Sequence, residues 1–314
     1  MIDLHRALSL LSLSLLLIAM LFIAMVDSLP YLRLSEIPGW VFLFGLPHIL
    51  SSMLTFADKR YLEYYKPKLI LGGVLFILMP AIAFSVNTSW LSRSVAILDV
   101  ATMYHVVSQQ CGIANAFAKR PPSVLFNVWR WCAILLGAAS FLRFDGFADT
   151  GDFLSQILMQ MRAVEPILAC LMILAGVKLS LASQDAFGRY MVVVTTLIFG
   201  LSLLIFNFEP GIALIAVVIL RLQHDITAYF IYINHDHSRN LSARYNFLYR
   251  GATWLPAWIL NPMFSLTINA AILGLIFACP ILAWIVPAFS IFHYYFEGFV
   301  WKAGSPHREH ISLR

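Results

Sequence analysis

Charge is scarce in this sequence. Of 314 residues only 12% are Asp, Glu, Lys or Arg, and 61% are hydrophobic; a soluble domain carries about 25% charge. Apolar runs of roughly 20 residues recur along the chain instead, the length a helix needs to cross a bilayer. Short alternating segments are missing, which excludes a transmembrane β-barrel. No polar stretch is long enough for a soluble domain. The net charge of +5 sits in short loops, where it reports orientation and contact with lipid headgroups rather than nucleic-acid binding.

Organised thiols are also missing. The four cysteines, Cys111, Cys132, Cys170 and Cys279, lie scattered in apolar runs without a CxxC spacing. They read as small buried hydrophobes, not as metal ligands or a disulfide framework. There is no repeat of about 20–50 residues and no low-complexity tract.

What is present predicts an all-α fold: a polytopic integral membrane helical bundle of about ten transmembrane helices, or eight at the fewest. The expected spans are 7–27, 38–57, 68–87, 94–118, 124–142, 164–183, 190–207, 211–234, 261–279 and 281–301. Arg6 precedes an apolar run of about 20 residues, too long for a cleaved signal peptide, so a retained first helix is expected. In the last two spans Pro280 removes a backbone donor and favours a break. Arg6, then Lys59, Arg60, Lys66 and Lys68, then Lys119 and Arg120, then Lys178 and Arg189, then Arg239, Arg244 and Arg250 fall at alternate ends. Such alternation predicts cytosolic N- and C-termini and a multi-pass protein of a bacterial inner membrane. Residues 1–314 are expected as one transmembrane domain. A cytosolic loop at 235–260 carries Arg244, Tyr245, Arg250, Trp254 and Trp258, the composition of an interfacial helix.

Four histidines fall inside the expected spans: His48, His105, His224 and His293. All four are on even-numbered spans. Counting to the next cytosolic anchor places each roughly 14–21 Å from the inner boundary, near the midplane of a core about 30 Å thick. Each has polar company within a turn. Gln109 follows His105, Asp225 follows His224 directly, and Glu297 follows His293 by four residues, which puts that pair on one helix face. Ionisable groups in a bilayer core are costly, face the bundle interior and mark function. Arg221, one turn before Asp225, reads equally as half of a structural ion pair and as a site element. In "HDH", His235 and His237 point to different helix faces, and His235 lies about 16 Å along the helix from His224. His5, His307 and His310 read as tail residues without a role.

Imidazoles with carboxylates and no thiolates suit iron, copper or zinc in a non-haem site. The metal ligands expected are His48, His105, His224 and His293, and the groups expected to assist chemistry are Glu297, Asp225 and Gln109. Isolated histidines on separate spans, His48 and His105 early and His224 and His293 late, resemble the Brp/Blh family, as do the chain length and span number. The resemblance implies a membrane-embedded non-haem iron dioxygenase that cleaves carotenoids. The paired late histidines of that family are absent here, and Glu297 follows His293 instead. The HxxxH and HxxHH boxes of membrane fatty-acid hydroxylases and desaturases do not occur.

The expected function is therefore a metal-dependent oxidoreductase, with non-haem iron as its cofactor. Its substrate would be a lipid, isoprenoid or carotenoid that enters from the surrounding membrane lipids. The sequence names no electron donor. Two other classes fit some of the same residues. A proton- or ion-coupled transporter would use the histidines and carboxylates as a relay, with Arg130, Arg221, Asp225 and Glu297 as its intramembrane charges. A haem-binding electron-transfer protein would use paired histidines as axial ligands.

Overall fold

The computed structural model describes residues 3–24, 45–85, 88–144, 153–208, 213–279, 282, 285–302 and 304–311. Among them there is no strand. The chain runs α1 (Leu4–Ala24), α2 (Leu46–Leu54), α3 (Lys59–Ser85), α4 (Thr88–Phe117), α5 (Val124–Phe144), α6 (Phe153–Leu181), α7 (Ala186–Phe208), α8 (Ala213–Arg239), α9 (Ala257–Ala278) and α10 (Ile285–Val300). Helix is what apolar chain must form in lipid, where each backbone polar group has to be satisfied within its own segment.

Five described helices are long and apolar enough to cross a membrane, through the stretches Leu4–Leu21, Val124–Arg143, Phe153–Leu181, Ala186–Leu204 and Ala257–Ala278. Parts of the other expected spans, among them 38–44, 86–87, 211–212 and 283–284, lie outside the described residues. α9 and α10 are separate helices, since one ends at Ala278 and the next begins at Ile285; Pro280 lies outside the described residues.

The chain packs into two compact units. One comprises Met1–Leu4, Pro38–Ser94 and Asp225–Ser312; the other comprises His5–Ile37, Val95–His224 and Leu313–Arg314.

In the first unit α2 packs against α9 and α10, and α3 packs along α10. Pro47 starts α2, where its missing N–H costs nothing. The buried C-terminal end of α2 needs partners for its carbonyls. Asn246 supplies one, donating from Nδ2 to the Leu54 carbonyl at 2.8 Å, and the Phe247 N–H donates to the Ala57 carbonyl at 2.8 Å. Asn246 in turn opens the 3-10 turn Phe247–Ala252, accepting from the Leu248 N–H; the connection between α8 and α9 is shorter than the expected 235–260 loop, because helix runs to Arg239 and resumes at Ala257. Asp58, just beyond α2, takes the Arg239 Nε at 2.7 Å, and both side chains are buried. Arg239 also lies over the Tyr245 ring at 3.8 Å. Asp236 accepts from Tyr249 and from Asn261 Nδ2, and Asn261 accepts from Ser51. This polar lattice ties α2, α8 and α9 together.

The segment after α10 folds back onto the same unit. His307 is buried; its ring stacks on Tyr61 at 3.9 Å between centroids and on His235 at 4.9 Å. Its Nε2 lies 2.9 Å from Thr55 Oγ1. The Thr55 hydroxyl already donates to the Ser52 carbonyl, so His307 is the donor. The expectation that His307 is an idle tail residue is thus corrected: the tail is a packed element anchored on aromatic rings. His235 is buried and His237 is only half-buried, in keeping with their different faces.

This docking predicts a pH response. Burial and the neighbouring His235, His310 and Arg239 hold the His307 pKa well below its ordinary value. Burial likewise lowers that of His310, with Arg239 and Arg60 lowering it further and Glu309 and Asp58 opposing. The unfolded imidazole titrates at about 6.5. The docked form therefore excludes a proton that the undocked form binds, so docking is fully stable above about pH 6.5 and weakens as pH falls through it. Amide-exchange protection factors over 304–311, corrected for intrinsic rates, should fall between pH 7.5 and pH 5.5. Unchanged protection would refute the coupling.

In the second unit α5, α6 and α7 pack on one another. Arg143 at the end of α5 pairs with Glu165 on α6 and donates to the Leu158 carbonyl at 2.9 Å. Asp185 caps α7 by accepting from the Gly188 N–H at 2.9 Å. Gly188 also lets α7 approach the end of α4: a Cβ there would sit 2.3 Å from the Phe117 carbonyl oxygen and 2.4 Å from the Ala118 backbone. Backbone cannot swing aside as a side chain can. Gly188→Ala should therefore destabilise the protein by about 1–3 kcal/mol. A melting temperature equal to wild type would refute the close approach.

Candidate functional site

Three helices of the first unit supply its buried polar cluster. α2 carries His48 and, one turn on, Ser52. α10 carries His293 and, one turn on, Glu297. α8 carries Asp225 and, two turns on, Tyr232. The i,i+4 and i,i+7 spacings put each pair on one face, and the three faces meet.

His48 Nε2 lies 3.3 Å from His293 Nε2, with the rings edge to face. Behind each ring stands an oxygen. His48 Nδ1 is 3.4 Å from Asp225 Oδ1. His293 Nδ1 is 3.0 Å from Ser52 Oγ. Glu297 Oε1 is 3.6 Å from His293 Nε2 and accepts a short hydrogen bond from the Tyr232 hydroxyl. The cluster is dry: His48, Asp225, Tyr232 and His293 are each no more than 1% exposed. Phe296 closes one side, its ring edge to face with His293 at 5.2 Å.

The second unit holds its own pair. His105 on α4 and His224 on α8 meet edge to face at 5.0 Å between ring centroids, and both are buried. Asp99 and Thr102 are buried on the same helix as His105. Gln110 and Gln223 each donate to Thr195 Oγ1, at 3.4 and 3.5 Å. Gln109 is half-buried one turn after His105. Arg221 is buried on α8.

Within the first unit His48 meets His293, and within the second His105 meets His224. Sequence reasoning passed over Ser52, Tyr232 and Thr195. The signal was there for the first two: Ser52 follows His48 by four residues and Tyr232 follows Asp225 by seven, both helical repeats of one face. A hydroxyl carries no charge, so a search for ionisable groups steps past it.

The His48–His293 pair fits a metal. Two nitrogens 3.3 Å apart, each about 2.1 Å from a common ion, subtend about 104° there, between octahedral and tetrahedral geometry. His293 has its far nitrogen hydrogen-bonded to Ser52, the arrangement that orients a ligating imidazole, and His48 has the Asp225 carboxylate 3.4 Å behind its own. Carboxylates stand alongside both. Two imidazoles with carboxylates and no sulfur are the donor set of a non-haem iron, zinc or copper site.

Comparison of the chain with protein-family models, with curated proteins and with solved structures finds no match to any of them.

Proposed function

We propose that the chain is a membrane-embedded, metal-dependent oxidoreductase acting on a hydrophobic substrate, with non-haem iron as its metal. The observation that carries this reading is the 3.3 Å approach of two buried imidazole nitrogens, each backed by an oxygen. His48, His293, His105 and His224 are the ligands. Iron held by histidines and carboxylate would supply dioxygen activation. The protein's own residues do the rest. Asp225 and Ser52 hold the two rings in orientation, and Glu297 takes or gives a proton beside His293. Phe296 and its neighbours exclude water, which strengthens every charge–dipole interaction inside. Gln109 lies one turn from His105 and assists there by hydrogen bonding.

The substrate class follows from the surroundings. The outer faces of α1, α3, α6 and α7 expose Leu10, Leu17, Ile70, Leu71, Ile167 and Leu197, so the chain meets lipid acyl chains. A lipid, isoprenoid or carotenoid would reach a buried site sideways from that phase. The full bundle in this reading has ten spans with cytosolic termini in a bacterial inner membrane, as the alternation of Lys and Arg favours. It resembles the Brp/Blh dioxygenases in helix number and isolated histidines.

One observation favours a transporter instead. Tyr232, Glu297 and His293 form a buried string of protonatable groups, which a proton-coupled carrier could use as a relay. A haem between His48 and His293 is disfavoured, because two axial nitrogens across one iron stand about 4 Å apart and these are 3.3 Å apart. Metal analysis of the purified full-length protein tests the reading. Retained iron supports the enzyme; a metal-free protein that moves a solute with protons supports the carrier.

A further inference from the structure

We infer that Ser52 decides which nitrogen of His293 carries the proton, and hence which nitrogen is offered to a metal; the inference rests on the metal reading of His48 and His293. Besides the Tyr232 hydroxyl, which donates to Glu297, Ser52 Oγ meets two groups. One is the Ile49 carbonyl oxygen at 2.5 Å, which can only accept. The hydroxyl proton therefore goes to Ile49. The other is His293 Nδ1 at 3.0 Å. Having spent its proton, the hydroxyl can only accept there, so Nδ1 bears the hydrogen. Nε2 is left as the lone-pair nitrogen, and it is Nε2 that lies 3.3 Å from His48 Nε2.

Two groups face this nitrogen. In the metal-free protein His48 Nε2, 3.3 Å away, can donate to its lone pair. The other group opposes. Glu297 Oε1 is 3.6 Å from His293 Nε2, and a carboxylate would favour an N–H on that nitrogen. Distance settles the contest. A separation of 3.6 Å is outside hydrogen-bond range and 3.0 Å is inside it. The same Glu297 oxygen is also engaged by the Tyr232 hydroxyl. Ser52 is thus a positioning residue. It touches neither substrate nor metal and acts through the ring that does. Both its contacts come from one residue placed a turn after His48, so α2 supplies one ligand and sets the tautomer of the other.

Removing the hydroxyl should reverse the tautomer. In Ser52→Ala the Nδ1–H loses its acceptor, the proton moves to Nε2 facing Glu297, and the ring presents an N–H where a metal needs a lone pair. Nitrogen-15 spectra of His293 in metal-free full-length protein should show Nδ1–H in the wild type and Nε2–H in Ser52→Ala. Ser52→Thr keeps a hydroxyl and should restore the wild-type pattern. Zn(II), used as the probe, should bind Ser52→Ala roughly 10–100-fold more weakly, the range for partners behind a ligand, and Ser52→Thr near wild type. An Nε2–H wild type, or an unchanged tautomer in Ser52→Ala, overturns the inference even if zinc still binds. A tautomer that shifts as expected in a protein that binds no zinc or iron upholds Ser52 and overturns the metal reading instead.

Discussion

Replacing His293 with alanine should strip the purified protein of its transition metal. The imidazole provides a coordinate bond, and alanine in a cluster with the buried His48, Asp225 and Tyr232 offers no ligand in its place. An affinity loss of more than about 100-fold is expected, beyond the range for partners behind a ligand, with activity lost in parallel. His105→Ala should behave alike, since His105 and His224 form the second pair. Glu297→Gln is the graded control. It keeps shape but removes the charge beside His293, and should weaken metal binding by roughly 10–100-fold. Metal measured by mass spectrometry on wild type and the three variants decides the matter. A wild-type protein that is metal-free yet active would reject the enzyme reading. Glu297→Gln should then abolish pH-dependent transport, as a broken relay would.

Arg239→Ala should cost the protein about 3–5 kcal/mol of stability, the range for removing one partner of a buried ion pair. Asp58 would be left as a buried carboxylate without its 2.7 Å cation. The loss is compounded because the guanidinium also covers the Tyr245 ring. Arg239→Lys keeps the charge but not the planar fork or the stacking face, so it should fall between wild type and alanine. Arg239→Ala with Asp58→Asn together should recover part of the loss, since no charge is then stranded. Unfolding followed by circular dichroism in detergent reads all three. Equal stability of Arg239→Ala and wild type would mean that the pair contributes nothing.

Much of this protein is settled by sequence because its physics is one-dimensional. Long apolar runs must be helical wherever water is absent, and that needs no knowledge of neighbours. Helical spacing places Glu297 on the His293 face for the same reason. It also separates His235 from His237, of which only the first is buried.

Tertiary structure decided what depends on which helices meet. Nothing in the sequence pairs His48 with His293, 245 positions away. Nothing in it brings Ser52 to Nδ1 of His293 or Tyr232 to Glu297, since those contacts come from packing α2 and α8 against α10. His307 shows the same limit. In a polar tail it carries no periodic signal. It is buried because Tyr61 and His235 offer it flat aromatic faces and Thr55 offers it an acceptor. Local spacing fixes the face a residue occupies, whereas the partner on that face is chosen by long-range packing.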